Sequence, residues 1–338
     1  MCLYPRLIDN PKYKANKKNG GQVPPVLDSR VKKVPIGCGK CLECMKQKSN
    51  HWKIRLYEDI QEHTNAKFVT LTFDPEPLKQ LYNIVTTKNQ KLEGYDIDNA
   101  IATLATRRFL ERWRKQFKKS LRHWLVTEIG GTRYESLHLH GIVFTDNTEA
   151  ITKHWHYGFT FVGKYVNSKT ITYISKYLTK ADAKHPNYTP VILTSAGIGR
   201  RYTEQTIGNW QLNKYKGEDT KDTYRTPAGI QLGLPIYYRN KIYTEEERER
   251  LWLHKLDKQE RWVLGNKIDI TNGEEAYWAA LKWAQQKNIQ LGYGGEPLTW
   301  EQEYYEKQLR ELKIKEKIQK KNNNNKKKEI GRADGIYP

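Results

Sequence analysis

An α+β fold, an antiparallel sheet flanked by helices, is what this sequence predicts, and three observations carry the prediction. "KFVTLTF" (67–73) alternates apolar and polar residues as a half-buried strand does. Two further strand-like segments, 121–128 and 136–144, lie on either side of a turn containing Gly130-Gly131 and read as a hairpin. Stretches of helical periodicity lie between and after them, so the order runs strand, helix, strand, strand, short helix, strand, helix. That order is close to a ferredoxin-like βαββαβ unit.

Residues 1–50 are rich in Lys, Pro and Gly and are expected to be irregular, pinned by a cysteine cluster. "SNHWKIRLYEDIQEH" reads as a helix with Ser49 as N-cap and apolar Trp52, Ile54, Leu56, Tyr57 and Ile60. Asp74-Pro75 stops the first strand, and a long helix with a basic exposed side follows at 97–119. A short fourth strand spans 159–166, and "SKTITYISKYLTKADA" is a helix opened by Ser168. Beyond residue 190 the pattern weakens. Helices return at 245–264, opened by the capping box Thr244…Glu247, at 273–288, and from Thr299…Gln302 to about 319. "KKNNNNKKK" (320–328) is low-complexity and basic. The expected division is therefore a Cys-rich segment (1–50), a central α+β domain (51–190), a mostly helical accessory region (191–319) and a basic tail (320–338).

The 338 residues carry 59 Lys+Arg against 38 Asp+Glu, a formal net charge of +21, with a mean hydropathy of −0.86. Such an excess favours polyanions, because each neutralised phosphate releases condensed counterions. Ten Trp and 22 Tyr are compatible with stacking on single strands, but most such rings serve packing, so the charge alone counts as evidence. No run approaches the roughly 20 apolar residues needed to cross a bilayer, and no secretory h-region follows Met1. The expectation is a soluble, intracellular protein with no membrane partner. In that compartment Cys38, Cys41 and Cys44 of "CGKCLEC" read as metal thiolates, with Cys2 as fourth ligand if the N-terminus folds back and His51 as its substitute. Structural Zn²⁺ is preferred, although an iron–sulfur cluster also accepts four thiolates.

The chemistry concentrates in two segments. In "HLHGIVF", His138 and His140 face the same side of a strand, a ready clamp for a divalent ion. Glu128 ends the strand expected to pair with it and supplies a carboxylate; Glu135 competes but lies in the turn. A second pair, His154 and His156, sits in a polar stretch near a helix end, where a cationic ring is favourable without any metal. In the helix, Tyr173, Lys176, Tyr177 and Lys180 share one face, while Ile171, Ile174, Leu178 and Ala181 form a separate docking stripe. A solvated Tyr/Lys face explains the lysines but not tyrosine twice in register. A phenol near pKa 10 needs a cation to become a nucleophile, and the lysines or a metal supply one. Together with the charge, this points to transesterification of a DNA phosphate.

"FVTLTF", "HLHG" and "YISKYLTK" resemble, in order, the three motifs of HUH endonucleases, and the two-tyrosine form resembles the replication initiators of gokushovirus-type microviruses. "CGKC-x-x-C", the "GIG" of 197–199 and "LPIYY" strengthen the likeness, which spans about residues 1–245. The resemblance implies an HUH-type ferredoxin/RRM-like sheet, with Mg²⁺ or Mn²⁺ on His138, His140 and Glu128. It implies Tyr173 and Tyr177 as paired nucleophiles and Lys176 and Lys180 as accompanying lysines. It further implies nicking of single-stranded or origin DNA, a 5′-phosphotyrosine with a free 3′-OH for rolling-circle replication, strand rejoining, and host helicase and polymerase as partners in the bacterial cytoplasm. Another HUH enzyme fits less well, since the paired tyrosines argue against one-tyrosine transposases and no P-loop is present. A non-catalytic ssDNA-binding or packaging protein explains the charge but not the motif order. A 2-His-1-carboxylate oxygenase explains the ligands but not the tyrosines.

Overall fold

The computed structural model describes residues 2–130, 135–179, 185, 188–204 and 222–295, and the helical positions 307, 310, 311, 314, 315 and 318. In chain order the elements are β1 (Arg6–Asp9), β2 (Lys33–Ile36), α1 (Leu42–Glu62), β3 (Ala66–Thr72), α2 (Pro75–Lys88), α3 (Tyr95–Phe117), β4 (Arg122–Ile129), β5 (Leu137–Phe144), α4 (Thr148–His154), β6 (Thr160–Val162), α5 (Ser168–Ser175), β7 (Ile192–Thr194), α6 (Arg201–Glu204), β8 (Thr223–Arg225), β9 (Gln231–Gly233), α7 (Ile236–Ile242), α8 (Glu245–Asp257), β10 (Glu260–Val263), β11 (Asn266–Asp269) and α9 (Glu275–Gln290). Short 3₁₀ turns punctuate the N-terminal segment. The chain divides into two compact units. One is Met1–Asp59 with Leu178–Asn187 and Gly199–Glu296; the other is Ile60–Tyr177 with Tyr188–Ile198 and Pro297–Pro338. Among the described residues no helix is long and apolar enough to cross a membrane.

The second unit is built on a five-stranded sheet of order β6-β3-β5-β4-β7, with every neighbouring pair antiparallel. Alternation sends Val69, Leu71, Leu125, Leu139 and Val143 to one face. There they pack with Leu78, Leu81 and Val85 of α2 and Ile97, Ile101, Ala105 and Phe109 of α3. Each of these side chains contributes roughly 1.5–3 kcal/mol by leaving water. Gly141, the last letter of "HLHG", sits where a Cβ would fall 2.1 Å from the Trp124 carbonyl oxygen, so β4 and β5 approach as closely as they do only over glycine. Ile171, Ile174 and Leu178 are fully buried, as their stripe predicts; Ala181 lies outside the described residues.

Arg310 completes this unit. Its guanidinium grips both carboxylate oxygens of Asp98 at 2.8 Å and Glu135 Oε2 at 3.1 Å. Glu135 holds a left-handed φ of 44° immediately before β5, a strained conformation for a side-chain-bearing residue. The two cation contacts on Glu135, to its carboxylate and its carbonyl oxygen, help offset that strain. Ile314 and Ile318 fill the same core as α2 and α3.

The first unit carries three two-stranded ladders, β1–β2, β8–β9 and β10–β11. A small core of Leu3, Cys41, Val263, Leu281 and Ala284 lies among them.

Several expectations need correcting. α1 begins at Leu42, seven residues before Ser49, which is buried mid-helix, and the N-terminal segment holds a β-ladder as well as irregular chain. α2 occupies the stretch after Asp74-Pro75, since proline suits the first turn of a helix. The sheet has a fifth strand, β7. Asn167, not Ser168, caps α5, which ends at Ser175 and tightens into a 3₁₀ turn over Lys176–Leu178. The helix expected over 245–264 stops at Asp257 and gives way to the β10–β11 hairpin. The expected start of the last helix at Thr299 and the 320–328 tail lie outside the described residues.

Candidate active site

The sheet face opposite the α2–α3 core carries the residues with chemistry, and register decides which of them meet. β4 and β5 place Val126 opposite His140 and Glu128 opposite His138, while β5 and β3 place His140 opposite Thr70 and His138 opposite Thr72. Two cross-strand rows result, two residues apart and on the same face. Glu128 reaches along the diagonal between them, and its Oε2 lies 2.9 Å from His140 Nε2. Both side chains are almost enclosed, at 14% and 13% exposure, so the pair is little screened by water.

His140 Nδ1 lies 3.0 Å from Thr70 Oγ1. In the tautomer that donates Nδ1–H to Thr70, the Nε2 lone pair and the Glu128 carboxylate are adjacent ligand atoms. The His138 ring runs nearly parallel to that of His140, with centroids 6.1 Å apart and planes 19° from parallel. A Cβ at Gly130 would meet His138 Cε1 at 3.0 Å, so glycine there gives this ring its room. Two imidazoles and a carboxylate suit a divalent cation. Among the described residues, however, these three are not drawn together as closely as the cysteines, whose ligand atoms all lie within 4.8 Å of one another.

The tyrosines meet this cluster. Tyr177 lies flat on His140, with centroids 4.3 Å apart and planes 2° from parallel, and its hydroxyl donates to the Tyr173 hydroxyl at 2.9 Å. Phe68 stacks on His140 from the β3 side and meets the edge of Tyr173. Burial, then the Tyr173 hydroxyl and the Glu128 charge, push the Tyr177 phenol above its ordinary pKa, so without a cation nearby it keeps its proton. Tyr173 is 53% exposed. Lys176 is exposed on the same turn, and Lys180 lies outside the described residues.

The other candidates fall elsewhere. Glu135 is committed to Arg310. His154 Nε2 meets Gln116 Oε1 at 2.6 Å while His156 Nε2 meets the Lys153 carbonyl at 2.9 Å, so the two rings engage separate partners. Cys2, Cys38, Cys41 and Cys44 converge in the first unit. His51 lines a cavity of about 560 Å³ with Lys46, Arg239 and Trp262, where burial, then Arg239 and Arg55, push its imidazole down to about 4. Sequence reasoning missed Thr70, Phe68 and Gly130. Thr70 shows itself only once the β3–β5 register is known, because a threonine on a strand otherwise reads as plain alternation.

Residues 66–182, from the first residue of β3 to just beyond α5, match the family model of the ORF2-type replication-associated proteins. Over 230 residues the chain is 24% identical to "Replication-associated protein VP4" of Bdellovibrio phage phiMH2K, an alignment covering 60% of this chain and 66% of that protein. Both matches are to replication-associated proteins. No solved structure matches the chain. The family match encloses Thr70, Glu128, His138, His140, Tyr173 and Tyr177, and together the two matches support a phage replication-associated protein.

Proposed function

We propose that this chain is a phage replication initiator that nicks single-stranded or origin DNA by transesterification, a tyrosine oxygen attacking a backbone phosphate. The observation that carries the reading is the stacking of Tyr177 on His140, whose Nε2 meets Glu128, with Tyr173 bonded to Tyr177. Two phenols therefore share one sheet face with a ligand set. Glu128, His138 and His140 would hold Mg²⁺ or Mn²⁺, which when bound supplies Lewis-acid polarisation of the scissile phosphate. Thr70 fixes the orientation of the His140 ring. The Glu128 charge is one cause of the raised Tyr177 pKa, so its neutralisation eases loss of the phenolic proton.

The tyrosine oxygen bonds to phosphorus as the bond to the leaving 3′ oxygen breaks, giving a 5′-phosphotyrosine and a free 3′-OH. Host polymerase and helicase extend that end. The second tyrosine then attacks the regenerated junction, and a 3′-OH displaces tyrosine to close the strand. Each transfer exchanges one phosphodiester for another, so ATP is not needed. Lys176 and Lys180 offset the phosphate charge.

The test is a single-stranded origin oligonucleotide with Mn²⁺, resolved on a denaturing gel. Wild type gives a covalent adduct; Tyr173→Phe combined with Tyr177→Phe gives none while still binding DNA. An adduct surviving in the double variant removes the nucleophile assignment. Binding by wild type with no adduct leaves the non-catalytic reading in its place.

A further inference from the structure

We propose that Cys2, Cys38, Cys41 and Cys44 form a closed tetrathiolate zinc site that fastens the amino terminus to α1 and the end of α9. A zinc–sulfur bond of about 2.3 Å sets tetrahedral sulfurs about 3.8 Å apart, and Cys2 Sγ lies 3.8 Å from Cys41 Sγ. The four ligand atoms fall within 4.8 Å of one another. A disulfide brings its sulfurs to about 2 Å, and all four cysteines are free.

The sulfurs are also dressed as anions. Tyr4 N–H and Cys38 N–H donate to Cys2 Sγ at 3.3 and 3.2 Å, Cys41 N–H donates to Cys38 Sγ at 3.3 Å, and Leu3 N–H donates to Cys41 Sγ at 3.5 Å. Backbone donors aimed at sulfur favour thiolate over thiol and orient it. Glycines make the room: a Cβ at Gly37 would lie 3.0 Å from Cys44 Sγ, and one at Gly295 2.9 Å from Cys38 Sγ. Fully buried Asn288 of α9 accepts from Leu42 N–H at 2.8 Å and donates to the Tyr293 carbonyl at 3.1 Å, tying the cysteine loop to α9. With four protein ligands no position is left for water, so the role is structural.

The full chain, purified without added metal, is expected to hold one equivalent of zinc by mass spectrometry of the metal. Its cysteines should resist thiol reagent until a chelator is added. Replacement with Co²⁺ should give the intense thiolate charge-transfer band of a tetrahedral four-sulfur site. Cys38→Ser should lose the metal and melt lower. Should that variant fail to fold, the zinc content of wild type decides alone. Four freely reactive thiols with no zinc overturn the site, as does iron with inorganic sulfide.

A separate observation concerns the sheet edge. Phe161 of β6 pairs with Thr70 in the row of His140, and Phe159, whose carbonyl accepts from Thr72 N–H at 3.0 Å, stands in the row of His138. Both rings are exposed, at 67% for Phe159 and 50% for Phe161, as is Tyr165 at 70%. Phe161 meets Phe68 edge-on at 6.2 Å, and Phe68 in turn meets Tyr173 at 6.4 Å, so the exposed edge is continuous with the tyrosines. Apolar surface of this kind marks a binding site, and on a chain of net charge +21 a flat aromatic edge suits nucleobases. We infer that Phe159 and Phe161 stack unpaired bases of single-stranded DNA beside the phosphate that is cut, an inference that rests on the nicking proposal.

Fluorescence anisotropy with a labelled single strand reads this directly. Phe159→Ala and Phe161→Ala should each weaken binding roughly 5- to 150-fold, Phe161→Trp should restore it, and a paired duplex should show no such loss. Unchanged affinity for the single strand, with nicking intact, removes the stacking edge alone. Wild type that neither binds nor nicks single strands removes the nicking proposal itself.

Discussion

Thr70→Val deletes one oxygen and leaves the rest of β3 in place. Valine keeps the branch at Cβ and suits a strand at least as well as threonine, so the pairing of Thr70 with His140 and Phe161 survives. What is lost is the 3.0 Å contact to His140 Nδ1, on a ring only 13% exposed. Leaving a nearly buried nitrogen without its partner costs about 1–3 kcal/mol. When the partner also orients a metal-binding imidazole, the loss is typically about 10- to 100-fold in metal affinity. The two figures agree, since tenfold corresponds to about 1.4 kcal/mol. Adduct formation followed against Mn²⁺ concentration should therefore show a half-saturating Mn²⁺ raised about 10- to 100-fold, with a smaller loss at saturation, and Thr70→Ser should recover most of it. A half-saturating concentration within about twofold of wild type, in a variant that melts normally, would refute the assignment of Thr70 as the residue that positions His140.

Arg310→Met leaves Asp98 and Glu135, both under 10% exposed, without their shared cation. Denaturant unfolding should register a loss of about 3–5 kcal/mol, and a change below about 1 kcal/mol would mean the triad is not formed in solution. His51 gives a pH signature of definite sign. Its imidazole titrates near 6.5 in an unfolded chain but is held down to about 4 in the fold. Stability is whole above pH 6.5, is lost as pH falls, and the loss is complete near pH 4, amounting to about 3 kcal/mol at most. His51→Gln should flatten that limb of the stability–pH curve; curves of the same shape for both proteins would count against it.

The strands β3, β4 and β5 were legible because alternation over seven or eight residues is hard to mistake, and the placement of the histidines and Glu128 on one face followed from it. β7 has only three residues, too few to display a period, so the sheet's fifth strand stayed hidden. α2 was hidden by its own start signal, because Asp74-Pro75 ends a strand and opens a helix equally well. The β10–β11 hairpin escaped for a different reason. Its two turn residues, Leu264 and Gly265, both have positive φ (51° and 88°), the geometry that Asn-Gly normally announces, and leucine in that place reads as helix. At the candidate site, residue types and spacing indicated which groups to watch. The diagonal reach of Glu128 to His140 and the flat stacking of Tyr177 depend on register and on the 3₁₀ turn, and no local pattern encodes either.

The grip of Arg310 on Glu135 has a bearing on how the chain can be shortened. Glu135 is the hinge post from which the histidine strand departs, and it is held by a residue 175 positions downstream. A deletion reaching back past Ile318 would strip two side chains from the sheet unit's interior, and one reaching Arg310 would also unfasten that post. The carboxyl-terminal stretch up to residue 318 is thus a buttress of the unit that bears the histidines and tyrosines, and safe trimming begins only beyond it.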